Sequence, residues 1–372
     1  MTSLRIFHGP IPVVGLPWAF SRAQRKLGHR SDYVLFDTFG SEWLLDGWDK
    51  NLRLTSKVIK GRSYGINAFF RHLKVGKFVL ECIRDYDVFH FYSGWSLFPG
   101  KEKSCPLFPR YKDLPILRSL GKKIVFYHIG CRDSKLRSNF AKHDPCLCGI
   151  CRVGLSGLCS DEETTLRCLM EKRYGHVLIN GIPDMSDFDR EAVYVPAAID
   201  LDMWRLDKNE NLSSSGTVKV VQVTGNLESR GDVKGIGYTK RAVEKLKESG
   251  YSVELVTIDR VPSRSMPSVI RSADIVVDNL LFGWYGLTAI QAMALGKPVI
   301  AYIREPWLRF HCERFPAPPV IGTHPNNLFE TLRELISKQD LPKIGLQGPR
   351  YVSEVHDPLK IGQKLIELYS AP

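Results

Sequence analysis

The sequence predicts an α/β protein with two Rossmann-like, doubly wound parallel sheets. Short apolar segments alternate with amphipathic helical patterns along most of the 372 residues, as in parallel sheets that helices cover on both faces. The alternation stops once, at about residues 197–216, and then begins again. A chain of this length is expected to form two domains, so we place one domain on each side of that break.

The first domain is predicted over residues 1–196. Its candidate strands are short apolar runs at residues 4–7, 33–36, 88–91, 123–128, 177–180 and 193–195. Helical periodicity is found from about residue 18 to 28 and near 69–83, 114–120 and 162–173. A loop rich in Gly and Pro follows the first strand, which favours a close turn at that point.

The second domain is predicted over residues 217–355, after a polar linker without hydrophobic period at 197–216. Its candidate strands are 218–223, 253–258, 275–278 and 299–302, and its candidate helices are 237–249, 267–272, 287–295 and 326–337. A final helix within 356–372 is predicted to pack back on the first domain. In two-lobed α/β proteins the functional site is expected in the cleft.

Composition excludes several classes of protein. Hydrophobic residues form 44% of the chain and charged residues 25%, which is too apolar for a disordered protein. No apolar run approaches the roughly 18 residues that a transmembrane helix needs. The first residues lack the apolar core of a signal peptide. The sequence therefore predicts a cytoplasmic protein, with a peripheral position at the inner membrane face as an alternative.

Basic residues exceed acidic ones, with 52 Lys and Arg against 40 Asp and Glu and a net charge of +12. Much of the excess lies between Lys101 and Lys142, where eleven residues are basic and three are acidic. Such a segment suits nucleotide phosphates, a lipid pyrophosphate, an anionic membrane surface or nucleic acid. A solvated basic face that serves only solubility explains it equally well.

Six of the nine cysteines lie within residues 131–168, predicted to be an insert in the first domain. In a reducing compartment, such a cluster favours a metal site over disulfides. The CxC spacing at 146–148 is too tight for both thiolates to serve one ion comfortably. We therefore predict a small zinc lobe whose four ligands are Cys131, Cys148, Cys151 and Cys159. An iron–sulfur cluster and a group of buried thiols are the alternatives.

The strongest local signal lies between residues 274 and 300. A predicted strand ends at Asp278, a loop with Gly283 and Gly286 follows, and a helix starts at Leu287. The free N–H groups and the positive end of such a helix favour a phosphate. The residues alone thus indicate a phosphate or nucleotide site, with a plain strand–helix turn as the alternative.

The run from Gly286 to Ala301, GLTAIQAMALGKPVIA, resembles the donor-binding motif of family 4 of the retaining glycosyltransferases, which have the GT-B fold. Other segments extend the resemblance over most of the chain. HGP at 8–10 resembles the loop beside the nucleotide sugar, FYHIGCR at 126–132 a strand end whose His contacts donor or acceptor, and YVPAAID at 194–200 the segment before the hinge. The resemblance implies two Rossmann-like domains facing across a cleft.

Residues 224–235 resemble the family's phosphate loop, whose Arg and Lys hold the donor diphosphate. The Arg position is Asn226 here, so the resemblance implies that Lys234, with Arg230, neutralises the phosphates without a guanidinium fork. His128 is implied to bond a sugar hydroxyl, which completes the catalytic set. The residues implied to line the donor are Gly9, Pro10, Gly15, Asn226, Asp278, Gly283, Tyr285, Gly286, Leu287 and Gln291.

The family's paired glutamates are both replaced in this sequence. They fall on Gly283 and Gln291. An amide can share the second glutamate's contact with the ribose because it both donates and accepts. Glycine cannot replace the first, and Asp278 and Asn279 are the candidate substitutes.

The resemblance implies a metal-independent, retaining glycosyltransferase of the hexosyl type. It would move a sugar from a UDP- or GDP-sugar to a glycan, a lipid-linked sugar or a small molecule, in polysaccharide, glycolipid or specialised-metabolite synthesis. The main chemical task is to stabilise negative charge on the leaving phosphate. The basic segment favours one alternative, a glycosyltransferase acting on modified, phage-type DNA. The missing glutamates favour another, a catalytically silent GT-B subunit that binds a sugar nucleotide or a partner enzyme.

Overall fold

The computed structural model describes residues 3–42, 45–53, 66–99, 107–156, 159–188, 192–206, 216–225, 227–338 and 341–371. The chain divides into two compact units. The first comprises Met1–Lys135, Glu162–Ala198 and Pro358–Pro372, and the second comprises Leu136–Asp161 and Ile199–Asp357. Of the predicted linker at 197–216, residues 207–215 lie outside the described residues.

Parallel strands form one sheet in each unit. In chain order the strands are β1 Arg5–Gly9, β2 Arg30–Leu35, β3 Lys50–Asn51, β4 Val88–Tyr92, β5 Lys123–His128, β6 Val177–Asn180, β7 Val193–Tyr194, β8 Val218–Gly225, β9 Val253–Asp259, β10 Ile275–Val277, β11 Val299–Ala301 and β12 Val320–Gly322. The first sheet has the order β3-β2-β1-β4-β5-β6-β7, and the second β12-β11-β10-β8-β9. In each order the direction of progression reverses once, as expected of a doubly wound sheet.

Helices connect these strands. They are α1 Leu16–Lys26, α2 Ile66–Asp85, α3 Leu114–Ser119, α4 Cys131–Ser134, α5 Arg137–Phe140, α6 Arg152–Leu155, α7 Asp161–Tyr174, α8 Leu227–Arg230, α9 Ile236–Glu248, α10 Met266–Arg271, α11 Leu287–Ala294, α12 Glu305–Cys312, α13 Leu328–Ser337, α14 Leu341–Gly345, α15 Gln347–Val355 and α16 Pro358–Ser370. None of those in the described ranges is both long and apolar enough to cross a bilayer.

Both faces of the first sheet are buried, because successive strand residues point to opposite sides. Phe7 belongs to an aromatic cluster on one face, and its neighbour Ile6 belongs to the cluster on the other. On the second face α16 packs against α1, with Leu365 and Phe20 fully buried between helices and sheet. Strands such as β4 and β6 are therefore almost continuously apolar, which is why the sequence predicts them.

The segment Leu136–Asp161, with four of the nine cysteines, belongs to the second unit. Phe140 packs on Phe282 with 5.7 Å between ring centroids. Arg152 Nη1 donates to the carbonyl of Glu228 at 2.6 Å. The sequence assigned this insert to the first domain. The difference arises because its contacts are made with loops distant in the chain, which cysteine spacing does not report.

Gly348 sets how closely α15 approaches α11. A Cβ atom at this position would lie 2.4 Å from the carbonyl oxygen of Met293, and a backbone atom in a packed helix cannot move aside. We expect Gly348→Ala to lower the free energy of unfolding by about 1–3 kcal/mol. Gly322→Ala is the control, because a Cβ there meets open space. Equal urea midpoints for the two variants would contradict this packing.

Candidate functional site

The second unit has a topological switch point between β8 and β10. These two strands are neighbours in the sheet, while the chain continues from β8 to β9 on one side and from β10 to β11 on the other. Parallel α/β sheets bind ligands at the carboxyl ends of such strands, because the loops that follow them diverge there. The loop after β8 contains Lys234, and Asp278 follows β10 directly.

A single carboxylate joins these two loops. Asp278 is fully buried, and its Oδ1 lies 2.6 Å from Nζ of Lys234. Its Oδ2 accepts the backbone N–H of Gly286, the residue before α11, at 2.6 Å. The side chain of Lys234 is 19% exposed. The structure therefore brings together three residues that the sequence predicted, and Asp278 already engages the cation and one amide expected to bind phosphate.

Gln222 supports the same site, and sequence reasoning missed it. This residue is fully buried in β8, and its Nε2 donates to the carbonyl oxygens of Lys234 at 3.2 Å and Asp278 at 3.3 Å. Gln222 thus links the loop after β8 and the loop after β10 to strand β8. The available signal was an amide in the middle of an apolar strand, since a buried polar group requires partners.

The other residues of the second unit that were predicted to bind the nucleotide sugar differ in their exposure. Tyr285 is buried, and its hydroxyl contacts the Tyr351 hydroxyl at 2.7 Å and Nε2 of His356 at 3.1 Å. Its side chain thus takes part in internal packing. Leu287 and Gln291 are partly exposed on α11, and Arg230 is exposed in α8. Asn226 lies outside the described residues.

Gly9 is the last residue of β1, and Pro10 and Gly15 lie in the loop that follows, at the switch point of the first sheet between β1 and β4. Beside them, buried His8 contacts the Tyr92 hydroxyl at 2.7 Å and Oε1 of Gln24 at 2.8 Å. Burial lowers the pKa of His8 to about 4, so this imidazole is neutral at pH 7. The loop is therefore anchored by a neutral polar network, and its role at the donor stays a prediction.

His128, at the end of β5, is engaged on both ring nitrogens. Its Nε2 lies 2.7 Å from Oε2 of Glu171, and its Nδ1 lies 3.1 Å from Oδ1 of Asn180. The imidazole is 4% exposed. Burial alone would lower the pKa of His128, but the carboxylate of Glu171 outweighs burial and raises it. This geometry favours a structural role, and contact with a sugar stays a prediction.

The His128–Glu171 pair predicts a dependence of stability on pH. Because the pKa of His128 is raised in the folded state, protonation stabilises the fold fully below the unfolded value of about 6.5. That contribution is lost as the pH rises through the raised pKa. We expect urea unfolding to show this loss, and His128→Gln to remove it. His176→Gln is the control, because burial lowers the pKa of His176. In this variant the loss of stability with rising pH should persist. An unchanged pH profile in His128→Gln would contradict the assignment.

The predicted zinc lobe is not supported. Cys131 begins α4 in the first unit, whereas Cys148, Cys151 and Cys159 belong to the second unit. Across the described ranges, no group of three or more His, Cys, Asp or Glu side chains could hold a metal ion. The residues present therefore do not fit zinc, nor the alternative cluster. Hydrogen bonding from Cys148 lowers the pKa of Cys146 to about 6, against the effect of burial.

Several cations of the basic segment have local partners. Lys135 pairs with Asp187 at 2.8 Å. Arg110 stacks over the ring of Trp95 at 4.3 Å. These contacts are within the first unit and do not identify a partner, so the predicted nucleic acid or membrane contact stays a prediction.

Comparisons with known proteins bear on the fold. No protein-family model matches the sequence, and no curated protein matches it. HepE from Anabaena, solved in complex with UDP and glucose, is similar with a TM-score of 0.59 at 13% identity, over 99% of this chain and 100% of that one. Sucrose-phosphate synthase from Thermosynechococcus elongatus is similar with a TM-score of 0.59 at 15% identity, over 98% of both chains.

A glycosyltransferase from Rickettsia africae is also similar, with a TM-score of 0.56 at 14% identity over 99% of this chain and 98% of that one. At these identities the likeness shows the fold. The chain has two parallel-sheet α/β domains, consistent with the predicted GT-B fold. The resemblance to family 4 rests on the sequence motifs and stays a prediction.

Proposed function

We propose that this protein is a glycosyltransferase that moves a sugar from a nucleotide-diphosphate donor to an acceptor hydroxyl, with retention of configuration. The observation that carries the proposal is the position of Lys234 and Asp278 at the switch point of the second sheet, beside the start of α11. The fold supports it, because HepE, with a similar fold, was solved in complex with UDP-glucose (TM-score 0.56, 12% identity, 99% of both chains).

In the proposed reaction, the donor diphosphate lies against the loops after β8 and β10. An ammonium group has three donors, so Lys234 keeps one on Asp278 and offers the others to the β-phosphate. As the bond between the anomeric carbon and the phosphate oxygen breaks, its electron pair moves to that oxygen. The acceptor hydroxyl bonds to the anomeric carbon on the same face, and its proton passes to the departing phosphate. Lys234, with the exposed Arg230, stabilises the developing charge. The chain's own cations thus supply the stabilisation in a metal-independent transfer.

Other predicted residues complete the proposed donor site. Gln291, partly exposed on α11, is proposed to bond the ribose hydroxyls. Leu287 and the loop at Gly9, Pro10 and Gly15 are proposed to contact the donor. The acceptor is proposed to be a glycan, a lipid-linked sugar or a small molecule.

Thermal unfolding of the full chain with UDP, GDP, their sugars and the free nucleosides tests the proposal. A ligand at 100 times its Kd adds about 2.7 kcal/mol to stability, which is an easily measured shift. We expect one diphosphate and its sugar to stabilise the protein, and the nucleoside to do so far less. A protein that no nucleoside diphosphate stabilises would contradict the proposal.

Hydrolysis or transfer measured with the stabilising donor then separates enzyme from silent subunit. Slow release of free sugar without acceptor supports an active transferase. Tight donor binding without release or transfer would instead support the silent GT-B subunit. Salt-sensitive binding to duplex DNA, together with transfer to it, would support the DNA-modifying alternative.

A further inference from the structure

Arg304, between β11 and α12, is a buried cation without a hydrogen-bond partner in the described part of the chain. The residue is 5% exposed, and none of its three guanidinium nitrogens has an acceptor among the described residues. Its guanidinium lies over the rings of Phe140 at 4.8 Å and Trp307 at 4.7 Å. The Tyr302 hydroxyl is close enough to raise the pKa of Arg304, but it does not meet the geometry of a hydrogen bond.

Gly283 provides the space that Arg304 occupies. Its φ of +93° favours glycine, and a Cβ there would lie 2.7–2.9 Å from Nε, Cγ and Cδ of Arg304. The backbone N–H of Arg304 also donates to the carbonyl of Gly283 at 2.9 Å. Arg304 therefore packs against the loop that begins at Asp278 and ends at Gly286. This is the same loop that contributes Asp278 and Gly286 to the proposed diphosphate site.

A buried charge without a partner is unfavourable. Burial lowers the pKa of Arg304, and Tyr302 and Cys146 oppose this effect only in part. Arginine nevertheless stays charged in proteins, and taking such a charge out of water is unfavourable by several kcal/mol unless an acceptor replaces the water. An oxyanion is the acceptor that suits it best, since the planar fork of a guanidinium matches a carboxylate or phosphate with two parallel hydrogen bonds.

We propose that Arg304 binds the carboxylate of an acidic sugar on the nucleotide donor, so that the transferred group is a uronate. This inference rests on the proposed function. The diphosphate already has Lys234 on the opposite loop, whereas Arg304 is a second cation between two aromatic rings.

Calorimetric binding of UDP, UDP-glucose and UDP-glucuronate to the full chain tests this inference. The two sugars differ only at C6, which is the carbon of a hydroxymethyl group in one and of a carboxylate in the other. We expect the uronate to bind at least tenfold more tightly than the neutral sugar. If the protein prefers GDP, the matched pair is GDP-mannose and GDP-mannuronate.

Arg304→Met is expected to remove this preference while leaving the affinity for UDP unchanged. It should also raise the midpoint of thermal unfolding without ligand, because an apolar side chain replaces an unpaired buried charge. Arg309→Met is the control, because Arg309 lies on α12 with an exposed side chain paired to Glu305. It should leave both affinities unchanged.

Three other outcomes would contradict the inference about Arg304. Equal affinity for neutral and acidic sugars would overturn the inference and leave the proposed function standing. An Arg304→Met variant that loses UDP and the uronate equally would assign the guanidinium to the phosphates, and would also overturn it. If no nucleoside diphosphate binds the wild-type chain, the proposed function fails as well.

Discussion

Replacing Lys234 by methionine is expected to lower the free energy of unfolding by about 3 kcal/mol and to weaken nucleoside-diphosphate binding at least tenfold. The first effect arises because fully buried Asp278 loses its cationic partner, and an unpaired buried charge is strongly destabilising. The second follows from losing a charge-assisted contact to phosphate, of about 1.5–3 kcal/mol. Urea unfolding measures the first effect, and calorimetry with UDP and uridine measures the second.

Two further variants separate these effects. In Lys234→Met with Asp278→Asn, no charge remains buried and the amide oxygen still accepts from Gly286, so stability should recover while UDP binding stays weak. Lys135→Met breaks a pair of similar length, 2.8 Å from Asp187 in the first unit. It should lower stability and leave UDP binding unchanged. If Lys234→Met weakened UDP and uridine equally, Lys234 would be structural only.

Asp278→Asn alone is expected to change stability and binding in opposite directions. Stability should fall by about 1–3 kcal/mol, because the hydrogen bond to a charged partner is weakened. UDP binding should tighten by about tenfold, because the carboxylate no longer competes for Lys234 or repels the phosphates. Such a trade-off between folding stability and ligand affinity is expected where a buried ion pair competes with the ligand for the same cation.

Urea unfolding of Asp278→Asn measures the expected loss of stability, and calorimetry measures the expected gain in UDP affinity. The matched control is Asp187→Asn, which removes the partner of Lys135 and should lower stability without affecting UDP. If Asp278→Asn weakened UDP binding, the carboxylate would serve to orient Lys234 and would not compete with phosphate.

The sequence determined where most strands lie. The predicted limits of β5 and β6 coincide with Lys123–His128 and Val177–Asn180 in the structure. Both are continuous apolar runs bounded by turn residues, a local signal. The strands β3 and β12, of two and three residues, were missed. Pairing with β2 and β11 makes them strands, and local sequence does not contain that pairing.

Partners across the chain were decided only by tertiary structure. Lys234 was predicted in the phosphate loop at residues 224–235 and Asp278 at the end of a strand, but they are 44 residues apart, and their ion pair depends on β8 and β10 being neighbours. The same holds for His128, whose polar partners come from α7 and β6. A motif identifies the residue type that a ligand needs, whereas the packed fold decides whether that side chain already has a partner.

The cysteine segment and Arg304 show the same division most clearly. Spacing alone suited zinc, but the structure separates Cys131 from the other three between two units, because backbone packing and not thiol spacing sets where each segment lies. Arg304 resembles any surface cation in the sequence, yet the absence of a side chain at Gly283 lets it be buried. The sequence by itself determined an α/β chain of two parallel sheets, and it predicted the loops that are proposed to meet a ligand. Only the tertiary structure decided which charges on those loops are paired, because burial and hydrogen bonding depend on contacts between residues far apart in the chain.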